Sequence, residues 1–217
     1  MKKGTIGILT GLLLIAAALS LTGYNLWDNK RAGAAAQSIL EQFHEERKND
    51  PAAEEECPDD REKDRKQVSE DKIEYPDYVL NPDMEMPVKE IDGEDYIGIL
   101  SIPAIDRELP VFSEWNYLKL KTAPCRYTGS AYLDNMVVCA HNYDIHFGLL
   151  KNLSYGDCVT FTDTQDNVFN YKVIEIEILQ PTAIDEMTAG DWDLTLFTCT
   201  IGGAERVTVR CERTLSF

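Results

Sequence analysis

Apolar and polar positions follow three different rhythms along the chain. Residues 4–27 form an apolar run rich in Leu, Ile and Ala without one charged side chain, and about 20 such residues are enough for a helix to cross a bilayer. The run predicts a membrane-spanning segment. Residues 33–50 place Ile39, Leu40 and Phe43 at helical spacing behind an alanine cluster, which predicts one amphipathic helix continuing outward from the span. Residues 51–72 hold almost no large apolar side chain, as in EEECPDDREKDRK, and such a segment cannot bury enough surface to offset its ordering entropy. A solvated stalk is expected there. Pro76, Pro82 and Pro87 then punctuate a stretch expected to lie extended along a domain surface.

From Tyr96 onward the pattern shortens into runs bounded by proline, charge and turn residues: YIGILSIPAID, ELPVF, MVVCAH, CVTF, VFNYKVIEIEIL, LTLFTC and RVTVRCE. These read as strands, and their spacing, with turn residues such as Gly156-Asp157 and Thr162-Asp163, predicts a mostly β fold closed into a barrel. Helical signal within this block is confined to residues 144–153 and 183–190. The expected organisation is a cytoplasmic tip and anchor over residues 1–27, a helical and acidic stalk over 28–75, and one β-barrel domain over 76–217.

Charge sharpens this division. The 217 residues carry 21 Lys+Arg against 38 Asp+Glu, a net charge of −17. Residues 1–44 contribute +2, residues 45–95 contribute −12 and residues 96–217 contribute −7. Most of the negative charge therefore belongs to the spacer, and a field of this sign excludes a nucleic-acid partner. At the N-terminus, Ala16-Ala17-Ala18 offers small residues of the kind found at signal cleavage sites, but the run continues through Leu19, Leu21 and Tyr24. That length predicts an uncleaved anchor. Lys2-Lys3 on one flank and Lys30-Arg31 on the other offset each other in the positive-inside count.

The candidate chemistry lies in the β block. Six cysteines, Cys57, Cys125, Cys139, Cys158, Cys199 and Cys211, allow up to three disulfides in an oxidising compartment, with no pairing favoured by spacing. Cys139, His141 and His146 form the one tight Cys/His grouping. Period two puts Cys139 and His141 on one strand face, but no fourth ligand is evident, so no metal is expected. His146 reads as a loop residue. His141 ends the run MVVCA, Cys199 ends LTLFT and Arg206 opens VTV, so all three are expected at strand ends. A histidine and a cysteine so placed can exchange a proton to give a thiolate that attacks a carbonyl, with an arginine receiving the oxyanion. Arg210 shares the Arg206 strand face and is a second candidate. Thr198 and Asn142 are candidate substrate contacts, and Trp115 and Trp192 are as readily structural.

The segment TLFTC, followed by the strand-opening arginine of RVTVRCER, resembles the TLxTC…R signature of the sortases. VVCAHN resembles their strand-terminal histidine motif, and YIGILSIPAI with ELPV resembles their first core strands. TGS at 128–130, Gly156-Asp157 and ILQPT at 178–182 follow in the family's order. His141-Asn142 with FGLL at 147–150 resembles class B, although residues 171–196 are too few for that class's helical insertion. Ala140 stands where many relatives have Gly, and only six residues separate Cys199 from Arg206. The resemblance implies an eight-stranded sortase barrel outside a Gram-positive cell membrane. In it Cys199 would cleave an LPXTG-like sorting signal through a thioester, His141 would carry the proton and Arg206 would hold substrate and oxyanion. Its partners would be surface proteins bearing that signal and an amine of lipid II, peptidoglycan or a pilin lysine, with no metal or cofactor required. The alternatives are a secreted cysteine hydrolase and a non-catalytic, disulfide-stapled surface domain with Cys199 paired.

Overall fold

The computed structural model describes residues 3–47 and 75–214. The acidic stretch 51–72 and Cys57 lie outside the described residues. A single helix, α1 (Lys3–Arg47), carries the apolar run and continues without a break into the amphipathic segment. It is long and apolar enough to cross a membrane. Residues 7–27 are exposed almost throughout, whereas Ala32, Ala36, Ile39, Leu40 and Phe43 are buried against the β domain. The second half of the helix is therefore docked on the barrel, where the sequence suggested only an outward extension.

Eight strands close the barrel: β2 (Glu94–Ile102), β3 (Arg107–Phe112), β4 (Cys125–Thr128), β5 (Met136–Cys139), β6 (Cys158–Asp163), β7 (Val168–Leu179), β8 (Leu194–Cys199) and β9 (Arg206–Arg213). Their order around the wall is β2-β3-β4-β5-β8-β9-β7-β6, with β6 pairing back onto β2. A short β1 (Lys89–Ile91) adds a hairpin edge outside this ring. Closure depends on Gly98, whose φ is +152° and where an added Cβ would lie 2.1 Å from the Thr162 carbonyl oxygen of β6. Only glycine fits that approach.

The sequence pattern has a direct cause in this arrangement. β2 reads as a continuous apolar run because both of its faces are covered. Leu100 and Ile102 point into the barrel, while Tyr96 and Ile99 pack outward in the cluster that contains Phe43 of α1. The barrel interior is filled by Met136 and Val138 of β5, Phe161, Phe169, Leu194, Leu196 and Val209. Before β1, the stretch expected to lie extended along the domain surface includes a turn of helix, α2 (Asp77–Leu80), and Tyr78 stacks on Tyr132 at 4.7 Å while Met86 is buried. Of the two helical stretches expected in the β block, residues 183–190 contain α3 (Ile184–Met187), and residues 144–153 form only a 3-10 turn at Leu150–Asn152. Gly148 explains the second result: its backbone sits against the carbonyls of Asn142 and Tyr143, a sharp fold-back that a regular helix does not make.

Candidate active site

Strand register brings the expected residues together. β5 and β8 run parallel with Val138 opposite Leu196 and Cys139 opposite Phe197. The pairing continues beyond β5, since the Ala140 amide donates to the Phe197 carbonyl at 3.2 Å and the Thr198 hydroxyl donates to the Ala140 carbonyl at 2.8 Å. Two positions past Cys139 and Phe197, the same register carries His141 to the level of Cys199. On the other side of β8, the antiparallel pairing with β9 sets Cys199 directly opposite Arg206. Because Leu194, Leu196, Val207 and Val209 fill the barrel, period two turns Cys199 and Arg206 to the outer face of the wall.

There His141, Cys199 and Arg206 line one cleft of about 260 Å3. Its walls are apolar: Trp115 and Tyr117 from the loop after β3, Tyr127 of β4, Phe197 of β8, and Ile184 and Met187 of α3. The Tyr127 and Phe197 rings meet edge to face at 5.5 Å, which closes the floor beside Cys199. Tyr117 and Tyr143 flank the His141 ring at 5.8 Å and 5.1 Å. Burial lowers the His141 pKa below its ordinary value, the nearby Lys121 lowers it further and Asp28 of α1 opposes both. The imidazole is therefore held in its neutral form, able to accept a proton near neutral pH. Cys199 is half-buried and is a free thiol. The alternative in which it is paired in a disulfide is overturned.

The two arginines separate cleanly. Arg206 reaches back over the β8–β9 hairpin, its Nη1 donating to the carbonyls of Gly203 at 3.1 Å and Glu205 at 3.0 Å, and it lines the cleft. The tight hairpin that puts it there needs Gly202 and Gly203 at φ +87° and +77°. Arg210 lies four residues further along β9, opposite Thr195, and is buried. Its Nε donates to Glu177 at 2.8 Å, and its other nitrogens donate to the Thr195 hydroxyl at 3.0 Å and the Glu186 carbonyl at 2.8 Å. It braces α3, one wall of the cleft, and its donors are already engaged.

The remaining candidates fall in different places. Thr198 is buried in the lining of the same cleft, with its hydroxyl committed to the Ala140 carbonyl, so it ties the end of β8 to the segment after β5. Asn142 donates to the Thr200 carbonyl at 3.4 Å and fastens the His141 loop to the end of β8. His146 is completely buried, its Nε2 donating to the Thr122 carbonyl at 3.1 Å, and burial lowers its pKa to about 4. Cys139 lines the cleft while Cys125 lies opposite it on β4, both free and buried. Burial raises both thiol pKa values, that of Cys125 to about 11. Cys211 is also free, and Cys158 is disulfide-bonded. Tyr127, Ile184 and Met187 were not singled out from sequence. The outward parity of Tyr127 on its strand was the one available signal.

A family model for the sortase domain matches residues 100–214, more than half of the chain. The chain belongs to the sortase family. No curated protein matches the sequence. Among solved structures, sortase A from Corynebacterium diphtheriae is similar with a TM-score of 0.51 at 22% identity, over 57% of this chain and 63% of that one. The sortase domain here thus spans less than two thirds of that enzyme. Sortase C1 from Streptococcus agalactiae matches with a TM-score of 0.50 at 23% identity, over 59% of this chain and 72% of the other. Sortase C from Clostridium perfringens is 28% identical over 67% of this chain and 78% of its own, with a TM-score of 0.49. At these levels of identity the likeness to the first two establishes the shared fold.

Proposed function

We propose that this sortase is a cysteine transpeptidase that cleaves a C-terminal sorting signal of LPXTG type and passes the new carboxyl end to an amine. The observation that carries the reading is the convergence of three side chains by register: Cys199 opposite Arg206, with His141 at the same level just past the end of β5, in one apolar cleft. His141 takes the Cys199 proton, and the thiolate attacks the Thr carbonyl of the signal. The oxyanion that forms is received by Arg206, which lies across the strand pair from the nucleophile. Collapse of this intermediate breaks the Thr–Gly bond as imidazolium returns its proton to the leaving amine, which leaves a thioester on Cys199. An incoming amine then loses a proton to His141 and displaces the thiol, restoring the enzyme.

The apolar walls favour a bound peptide with large aliphatic side chains upstream of the cleaved bond, and they exclude water that would hydrolyse the thioester. The acceptor is an amine of lipid II or peptidoglycan, or a pilin lysine. α1 anchors the enzyme as a single span, with the barrel outside the cell membrane. Incubation of the full chain with a sorting-signal peptide and an excess of oligoglycine or a lysine-bearing peptide tests the reading by product mass. Ligated product is expected. Cleavage that yields only free acid at every amine concentration would leave a cysteine hydrolase in its place.

A further inference from the structure

The order in which the barrel meets α1 fixes which side of it is nearest the apolar run. Asp28, the first charged residue after that run, accepts a hydrogen bond from the Tyr143 hydroxyl at 2.5 Å. Further along the helix, Gly33 lies beside Ile145 and His44 pairs with Glu108 at 3.2 Å. From Asp28 to His44 a helix rises about 24 Å. The loop that carries His141 and Tyr143 is therefore the part of the barrel next to the span, and β3 lies farther out.

The span itself ends at that level. Residues 4–27 make about 36 Å of helix, enough to cross a hydrocarbon core of about 30 Å. Tyr24 and Trp27 are both 59% exposed at its end, and the Arg31 guanidinium lies 5.7 Å above the Trp27 ring. Aromatic rings followed by cations are the signature of a membrane–water boundary.

A second group of exposed aromatic and aliphatic side chains lies beside the same loop. Trp115, Tyr117 and Leu118, between β3 and β4, are 49%, 62% and 70% exposed. Tyr117 packs edge-on to His141, which Tyr143 also touches, and both Lys121 and Asp28 act electrostatically on His141. The β3–β4 loop, the catalytic histidine and the first turn past the span thus form one neighbourhood. Solvent is a poor environment for a Trp, a Tyr and a Leu presented together at a loop tip, whereas the headgroup layer suits amphipathic rings backed by lysine.

We propose that the exposed tip of the β3–β4 loop, residues 114–118, rests in the headgroup layer of the membrane that α1 crosses, so that the Cys199 cleft opens onto the lipid surface. The enzyme then draws its substrates from chains and lipids held in that surface. The proposal depends on the reading of α1 as an anchor, and two single-tryptophan forms of the full chain separate them. In vesicles of phosphatidylcholine and phosphatidylglycerol brominated near the headgroup, the Trp27-only form (W115F/W192F) reports the anchor and the Trp115-only form (W27F/W192F) reports the loop. The expected result is a loss of Trp115 emission comparable to that of Trp27, and Leu118→Asp in the Trp115-only form is expected to restore most of it. Quenching of Trp27 with Trp115 unquenched overturns the proposal and leaves the loop as a surface for a soluble protein partner. If neither is quenched, the anchor fails and the proposal with it.

Discussion

The two faces of the wall formed by β5, β8 and β9 share strands and hydrogen bonds yet hold opposite chemistry. Inward, Val138, Leu196 and Val209 stand in register, apolar and wholly buried. Outward, each strand alternates the same way but presents Cys139, Phe197, Cys199, Arg206 and Arg210. Strand period alone sorts stability to one side and reactivity to the other. The outer face is itself divided: at the Cys199 end Arg206 lines an open cleft, while four residues down the strand Arg210 is sealed beneath α3. The same residue type therefore lines a cleft in one place and braces a helix in the other.

Substitutions on these two faces separate the roles. Arg210→Ala leaves Glu177, the Thr195 hydroxyl and a helix carbonyl without their donor, and loss of about 3 kcal/mol of stability is expected. Urea unfolding checks it, and a variant unfolding at the wild-type midpoint contradicts the brace. Arg206→Ala is expected to leave that midpoint unchanged and to lower kcat/KM by about 10²–10³, the usual effect of deleting one oxyanion donor. On the inner face, Leu196→Ala is expected to cost about 3 kcal/mol of stability, within the range for a buried leucine, with the remaining folded enzyme reacting at close to the wild-type rate.

The two histidines sharpen the comparison through pH. His146 titrates near its ordinary value when unfolded and at about 4 when folded. Its folded pKa is depressed, so the unfolded chain binds the extra proton and stability falls as pH drops below about 6.5. Between pH 7 and pH 5 the loss from this residue is about 2 kcal/mol. Unfolding free energies measured at both values should show that increment in the wild type and not in His146→Leu. An identical pH response in the two proteins would contradict the buried neutral imidazole.

Much of this was legible in the residues. The seven long strands announced themselves because each carries its own apolar pattern, and Cys199, His141 and Arg206 stood at their ends. β4 was missed because CRYT is a four-residue stretch with an arginine inside it, unlike the wholly apolar MVVC; pairing with β5 makes it a strand. Helical spacing of Ile39, Leu40 and Phe43 showed an apolar face but not the barrel that covers it. Arg206 and Arg210 were inseparable by period, since what distinguishes them is Glu177 on β7, far away in sequence. The outer-face walls Tyr127, on β4, and Ile184 and Met187, on α3, come from two separate segments and needed the closed sheet to meet.

The central claim is that Cys199 becomes acylated. Intact-protein mass measured after mixing the full chain with a sorting-signal peptide tests it most directly. The account predicts an adduct of the peptide's acyl portion, lost on addition of hydroxylamine, mapped to Cys199 and absent in Cys199→Ala, whose thermal midpoint stays near that of the wild type. An adduct of the same mass on the Cys199→Ala protein, or none on the wild type while the peptide is cleaved, would contradict it.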